Sequence, residues 1–351
     1  MNTATIVMLA QVGVFFGLVV GLAAIMTLAE RKVSAWIQLR YGPNRVGPWG
    51  LLQPLADGVK FIFKEEIVPY GAHPILFRLA PAMTAAPALL AVAVVPFSFP
   101  ITIQGETYAM AIANLDIGVL FTLAMAGLGV YGILIGGWAS NNKWSLLGGM
   151  RSSAQAVSYE LALVMSVVAV ILMTGSMNMT GIFMAQIPET LSFQSFFTEG
   201  WVIFRFPAGP IAFVIFLIAA FAETNRHPFD LAECETELVG GFHTEYSSMK
   251  FALFFIGEYA AMVTMACLIT VFFLGGPSFF GLVQGIEPSW LRALIGFGVF
   301  FAKTGFFLFL YIWVRWTLPR FRWDQLMFLG WKVLLPIALF NVVLAGYVVA
   351  F

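Results

Sequence analysis

Charge is scarce in this chain. Only 10% of its 351 residues are charged, against about 25% in soluble domains. With 60% hydrophobic residues, a water-soluble enzyme is excluded. The 18 Lys+Arg balance the 18 Asp+Glu, so no basic excess exists to neutralise a phosphate backbone, and nucleic-acid binding is excluded with it. Cysteine is almost missing: Cys234 and Cys267 form no CxxC pair, and three scattered histidines add no ligand cluster. Zinc, iron–sulfur and disulfide frameworks therefore have no basis, and no metal is expected.

What the chain has in quantity is long apolar runs. A spanning helix needs roughly 20 apolar residues to cross about 30 Å of hydrocarbon. Eight stretches qualify, near residues 5–29, 75–100, 116–138, 155–174, 207–222, 249–274, 290–314 and 326–350. Pro81, Pro87 and Pro96 interrupt the second, a load that neighbouring helices absorb inside a bundle. The first stretch carries no basic residues before it and is read as an anchor; Glu30, Arg31 and Lys32 follow it. By the positive-inside rule this places the N-terminus outside. The other loops agree, because Arg40, Arg45, Lys60, Lys64, Arg78, Lys143, Arg151, Arg226, Lys250, Arg315, Arg320 and Arg322 fall on the inner side, and only Arg205 and Arg292 on the outer.

The fold class expected is therefore an all-α integral membrane protein of about eight spans. An amphipathic helix over 49–69, with Leu51, Leu55, Val59 and Ile62 alternating with Asp57, Lys60 and Lys64, should lie at the inner interface. No linker or repeat is visible, so residues 1–351 read as one membrane domain, with an inner loop at 30–74 and an acidic inner loop at 223–248.

Several motifs have structural explanations. Gly127, Gly129 and Gly132 match G-x-G-x-x-G, but they sit inside an apolar span with no preceding strand and no acidic residue at the right distance, so dinucleotide binding is disfavoured. Gly13, Gly17 and Gly21 recur every four residues, as where helices approach closely in lipid. His73, His227 and His243 sit in inner loops, where axial haem ligation across two spans is disfavoured.

Carboxylates carry the strongest signal. The segment AETNRHPFDLAECETELVGGFHTEYSS places Glu223, Asp230, Glu233, Glu235, Glu237 and Glu245 together, with only Arg226 inside it and Lys250 just beyond it as fixed cations. The interleaved Phe229, Leu231, Leu238, Val239 and Phe242 point to a loop folded back on the bundle. Carboxylates packed at low dielectric do not all ionise, and those that keep protons near neutrality can relay them. Glu160 and Glu258 lie inside spans, each at a cost of roughly 2.5–3.5 kcal/mol on insertion scales, which calls for a partner or a water-filled path. Lys303 is the expected cationic counterpart, and a purely structural interhelix ion pair is the competing reading. Charges among Trp36, Tyr41, Trp49 and Phe61 fit either a headgroup anchor or an entrance for a lipid-soluble, polar-headed ligand. Arg315, Arg320, Arg322 and Asp324 fit either a docking face for a soluble partner or ordinary positive-inside residues.

Four segments, QLRYGPNRVGPWGLLQPLADG at 38–58, MRSSAQAVSYE at 150–160, AETNRHPFDLAECETELV at 222–239 and WVRWTLPRFRWDQLM at 313–327, resemble the quinone-tunnel membrane subunit of respiratory complex I, the bacterial H subunit and mitochondrial subunit 1 family. The resemblance covers nearly the whole chain. It implies a subunit of proton-translocating NADH:quinone oxidoreductase in the bacterial cytoplasmic membrane, or the mitochondrial inner membrane if organelle-encoded. Its substrate would be ubiquinone or menaquinone. Its partners would be peripheral-arm subunits at the inner face, small membrane subunits leading to antiporter-like subunits, and lipids. FMN and iron–sulfur clusters would reside only in partner subunits. By the family's pattern Arg31, Gln38, Arg40, Asp57, Arg226, Phe229, Asp230 and Arg315 would line or control the quinone path. Glu160, Glu223, Glu233, Glu235, Glu237, Glu258 and Lys303 would form the proton-coupling set. A homologous ion-translocating subunit of a membrane-bound hydrogenase stays open as an alternative; a stand-alone transporter has no inverted repeat to support it.

Overall fold

A computed structural model describes residues 3–103, 105–188, 199–231, 240–283 and 285–350. Among them, seven helices are long and apolar enough to cross a membrane: α1 Thr3–Ile37, α3 Pro74–Ala91 with its continuation to Val94, α4 Gly118–Ala139, α5 Lys143–Thr174, α8 Ser248–Phe273, α9 Ser289–Thr317 and α10 Trp323–Ala350. The shorter α7, Ala208–Glu223, has 16 residues. At 1.5 Å per residue it extends about 24 Å, less than the hydrocarbon thickness. The interfacial α2 is Gln53–Phe63, and α6 is a single short helix, Met179–Met184.

Two helices run well past their apolar stretches. The 35 residues of α1 make a rod of about 50 Å, so Glu30 and Arg31 are still helical. The polar RSSAQAVSY segment lies within α5, which starts at Lys143 and is capped by the Asn142 side chain accepting from Trp144 N at 3.0 Å. In α3, Pro81 and Pro87 remain inside the helix. Beyond Pro96 the second apolar stretch departs from the expected span. Ser98–Ile103 (β1) pairs antiparallel with Glu106–Met110 (β2). Pro96 and Pro100 remove helical N–H donors, and Ile101, Thr102 and Ile103 are β-branched, so a hairpin replaces the last helical turns.

The helices enclose an apolar core in which α8 is the most surrounded element. α8 packs on α1, α3 and α9, while α5 is flanked by α4, α7 and α10. Tyr159, Phe216, Phe272 and Phe273 are among the largest fully buried side chains. Gly132 permits the α3–α4 contact, because a Cβ there would lie 2.2 Å from Thr84 Oγ1. At Gly13, Gly17 and Gly21, in contrast, an added Cβ would meet nothing within 4 Å, so their stripe serves no close approach among the described residues. The apolar positions beside them face outward, as Val14 and Phe16 do.

The C-terminal end of α1, α2, the end of α7, the start of α8, the end of α9 and the start of α10 meet at one end of the bundle, joined by Arg31–Asp57, Arg226–Glu258, Lys250–Glu66 and Arg320–Asp230 pairs. This is the basic end.

Candidate functional site

At the basic end the chain after α7 turns sharply. Asn225 takes a left-handed conformation (φ 49°), which asparagine tolerates, and Arg226 N closes the turn on Phe221 O at 3.2 Å. The turn aims Arg226 into the bundle, where it is buried. Its Nη1 lies 3.1 Å from both carboxylate oxygens of Glu30 on α1, and its Nε lies 2.6 Å from Glu258 Oε1 on α8. The Tyr259 hydroxyl donates to Glu30 Oε2 at 2.7 Å, and the Tyr259 ring lies 4.5 Å from the guanidinium carbon of Arg226. Arg315, arriving from α9, donates to the other Glu30 oxygen. Four elements thus converge on two acids, two arginines and a tyrosine.

Beside this cluster is a small polar pocket lined by Asn225, Arg226, His227, Asp230, Glu258 and Arg315, among others. Burial pushes the Asp230 carboxyl up to about 6, against the lowering pull of Arg320, whose Nη2 is 3.6 Å from Asp230 Oδ2. Burial, with Arg320 and Arg315 nearby, holds His227 below the ordinary histidine range. A second cavity of about 80 Å³ lies deeper, between α3, α4, α5, α7 and α8, with largely apolar walls. Glu223, Asn225 and Glu258, with Thr84, Thr224 and Thr264, supply its polar groups. The Oε2 atom of Glu223 is buried with no hydrogen-bond partner, the kind of group that an internal water satisfies. Glu160 is near enough to Glu223 to interact electrostatically. Room for the Glu160 carboxylate comes from Gly127, where a Cβ would lie 2.7 Å from its Oε1. Glu258 and Asn225 line both the polar pocket and the deeper cavity.

The expected site residues separate accordingly. Glu160, Glu223 and Glu258 come together, as do Arg226 and Arg315 with Asp230 at the pocket. Arg31 and Asp57 form a 2.6 Å pair joining α1 to α2, and Arg40 Nε donates to Gln38 Oε1 at 2.7 Å on the exposed basic end. Phe229 is buried, its ring against those of Tyr159 and Phe321. Glu233, Glu235 and Glu237 lie outside the described residues. Among the described residues Lys303 does not pair with an acid. Its Nζ donates to the carbonyls of Leu274 at 2.6 Å, Gly276 at 3.0 Å and Ser278 at 2.5 Å, and lies over the Trp201 ring at 4.2 Å. The expected cationic counterpart of the buried acids is instead Arg226. Glu30 and Tyr259 were not anticipated from sequence. The available signal was that Glu30 falls four residues beyond Met26 on an unbroken helical pattern whose Met26 face is buried.

The sequence matches the NADH dehydrogenase family over residues 10–346. The chain belongs to this family. It is 51% identical over 341 residues to the H subunit of NADH-quinone oxidoreductase from Leptospira biflexa, covering 95% of this chain and 91% of that protein. It is 48% identical over 342 residues to an H subunit of NADH-quinone oxidoreductase from Geobacter metallireducens, covering 97% and 95%. It is also 48% identical over 336 residues to NADH-quinone oxidoreductase subunit 8 of Rhodothermus marinus, covering 93% of each. The family match spans every element of the site, from Glu30 in α1 to Arg315 in α9. In this NADH dehydrogenase family member the acids and arginines of the site therefore all lie within the matched span.

Proposed function

We propose that this chain is the membrane subunit of proton-translocating NADH:quinone oxidoreductase that admits quinone at its basic end and couples quinone reduction to proton movement. The relatives carry that enzyme's name, and the chain's own residues supply the chemistry. Quinone, ubiquinone or menaquinone, is the substrate. NADH oxidation, FMN and iron–sulfur clusters belong to peripheral-arm subunits docked at the basic end, which faces the cytoplasm of a bacterial cell. Small membrane subunits cover the lateral side and lead to antiporter-like subunits.

The observation that carries this reading is the position of Glu258. It is held by Arg226 in the charged cluster and also lines the cavity that Glu223 enters. A change in charge at the cluster is therefore felt by the deeper acids. Reducing a quinone to a quinol takes up two protons, because its dianion is unstable where water is scarce. When Asp230, Glu258 or Glu30 gives up or receives a proton, the balance of Arg226 between its two carboxylates shifts. Carboxylates coupled by more than about one pK unit respond as a group. Glu223 and Glu160 then pass the change toward the α4–α5 side, together with Glu233, Glu235 and Glu237 of the loop. Arg31, Gln38, Arg40 and Asp57 line the approach for the quinone headgroup, with Arg315 and Phe229 behind them.

The test is a pair of substitutions measured per assembled complex in membrane vesicles. Glu235→Gln and Arg226→Ala should lower quinone-dependent NADH oxidation while NADH oxidation by an artificial acceptor stays near wild type. Equal loss of both rates would mean that assembly, not quinone coupling, depends on these residues.

A further inference from the structure

One fully buried side chain joins the charged turn to α5 and has no part in the chemistry above. Gln155 is 0% exposed. Its Nε2 faces three acceptors: Ala222 O at 2.9 Å, Phe229 O at 2.9 Å and Asn225 Oδ1 at 3.1 Å. These three belong to the turn that carries Glu223 and Arg226. Asn225 returns the contact by donating Nδ2 to Ser152 Oγ at 3.0 Å, one turn earlier on α5. One turn later, the Tyr159 ring meets Phe229 at 5.3 Å, and Glu160 follows directly. Ser152, Gln155 and Tyr159 thus form a stripe at helical spacing that fastens residues 222–229 to the helix bearing Glu160. Three acceptors around one NH2 fix the orientation of the amide, since the reversed amide would place oxygen against oxygen.

We propose that Gln155 is a positioning residue that locks the turn bearing Glu223 and Arg226 to α5. The charged cluster and Glu160 then keep one geometry during turnover, and a displacement at Arg226 is delivered to α5 rather than absorbed by the loop. This inference rests on the coupling role proposed above. Gln155 itself touches neither quinone nor a transferred proton.

The experiment uses the assembled complex in membrane vesicles. In Gln155→Glu the shape is kept, but an ionised carboxylate only repels the three acceptors, whereas the protonated acid donates to one of them. The quinone-dependent rate should therefore be roughly 10-fold below wild type near pH 8 and recover to within about threefold near pH 6, each value taken relative to wild type at the same pH, as loss and partial return of one buried hydrogen bond would give. The artificial-acceptor rate should stay at wild type throughout. Gln155→Met, which fills the space without a donor, should show a loss that does not change with pH. Ser152→Ala should show a loss of about threefold in the same direction, matching one weaker contact. Gln155→Met at the wild-type rate, or a Gln155→Glu deficit with no pH dependence, overturns the proposal. If Gln155→Glu does not assemble, Gln155→Met and Ser152→Ala decide it. If the Gln155 pattern holds but Glu223→Gln leaves proton transfer unaltered, the coupling role fails while the fastening stands.

Discussion

The guanidinium of Arg226 lies 2.6 Å from Glu258 through Nε and simultaneously 3.1 Å from Glu30 through Nη1. One planar cation thus ties α8 to α1. Lysine cannot reproduce this, because its ammonium is a point charge on a flexible stem and does not span two carboxylates in a fixed fork. Arg226→Lys should assemble in near wild-type amounts yet lower quinone-dependent turnover by about an order of magnitude, consistent with losing one charged hydrogen bond of roughly 1.5–3 kcal/mol. Native gel electrophoresis with steady-state rates per complex separates the two effects.

Tyr259 contributes in two ways that substitutions can separate. Tyr259→Phe removes the 2.7 Å donor to Glu30 but leaves the ring against Arg226. It should cause a several-fold loss of quinone turnover. Tyr259→Leu, which also removes the aromatic face, should cause a larger one, since a desolvated cation–π contact adds about 2 kcal/mol. Equal rates in the two variants would assign no role to the ring.

Much of the architecture was legible in the sequence because composition and span length dominate it. The eight apolar stretches correspond to the seven long helices and α7, and α2 falls inside the expected amphipathic segment. The site was legible only in part. Acids in an apolar setting stand out by their cost, so Glu160, Glu223 and Glu258 could be singled out. Glu30 could not, because a hydropathy reading ends a span at the first charge, whereas the α1 backbone continues to Ile37 and buries that charge against partners 196 and 285 residues away. Lys303 could not be placed either, since its acceptors are backbone carbonyls, which leave no trace in side-chain pattern.

That placement of Lys303 gives a clear expectation. Lys303→Met leaves the carbonyls of Leu274, Gly276 and Ser278 without their donor, at a cost of roughly 1–3 kcal/mol for an unsatisfied buried group. The variant should yield less assembled complex and a lower thermal midpoint, with turnover per complex near wild type. A full-yield complex with strongly reduced turnover would favour a proton-coupling role for Lys303 over this structural one.

His243 sets an acid limit. It is buried against Phe242, Phe251 and Phe255, and burial pushes its imidazole down to about 4. A depressed histidine favours the fold above its ordinary value of 6.5, and that contribution is lost as pH falls through about 4. The difference amounts to about 3 kcal/mol at most. His243→Gln should show little change in thermal midpoint near pH 8 and a smaller acid-induced drop than wild type between pH 6.5 and 4. Parallel curves for the two proteins would remove His243 from the acid response.

The role proposed for Glu223, whose buried Oε2 has no hydrogen-bond partner at the edge of the Glu258 cavity, is to carry charge between the basic end and Glu160. Its most direct test is the number of protons translocated per electron pair in sealed vesicles bearing Glu223→Gln, measured alongside the artificial-acceptor rate. A lower proton yield with slowed quinone reduction and an unchanged artificial-acceptor rate is expected. Wild-type quinone reduction with the full proton yield would contradict it.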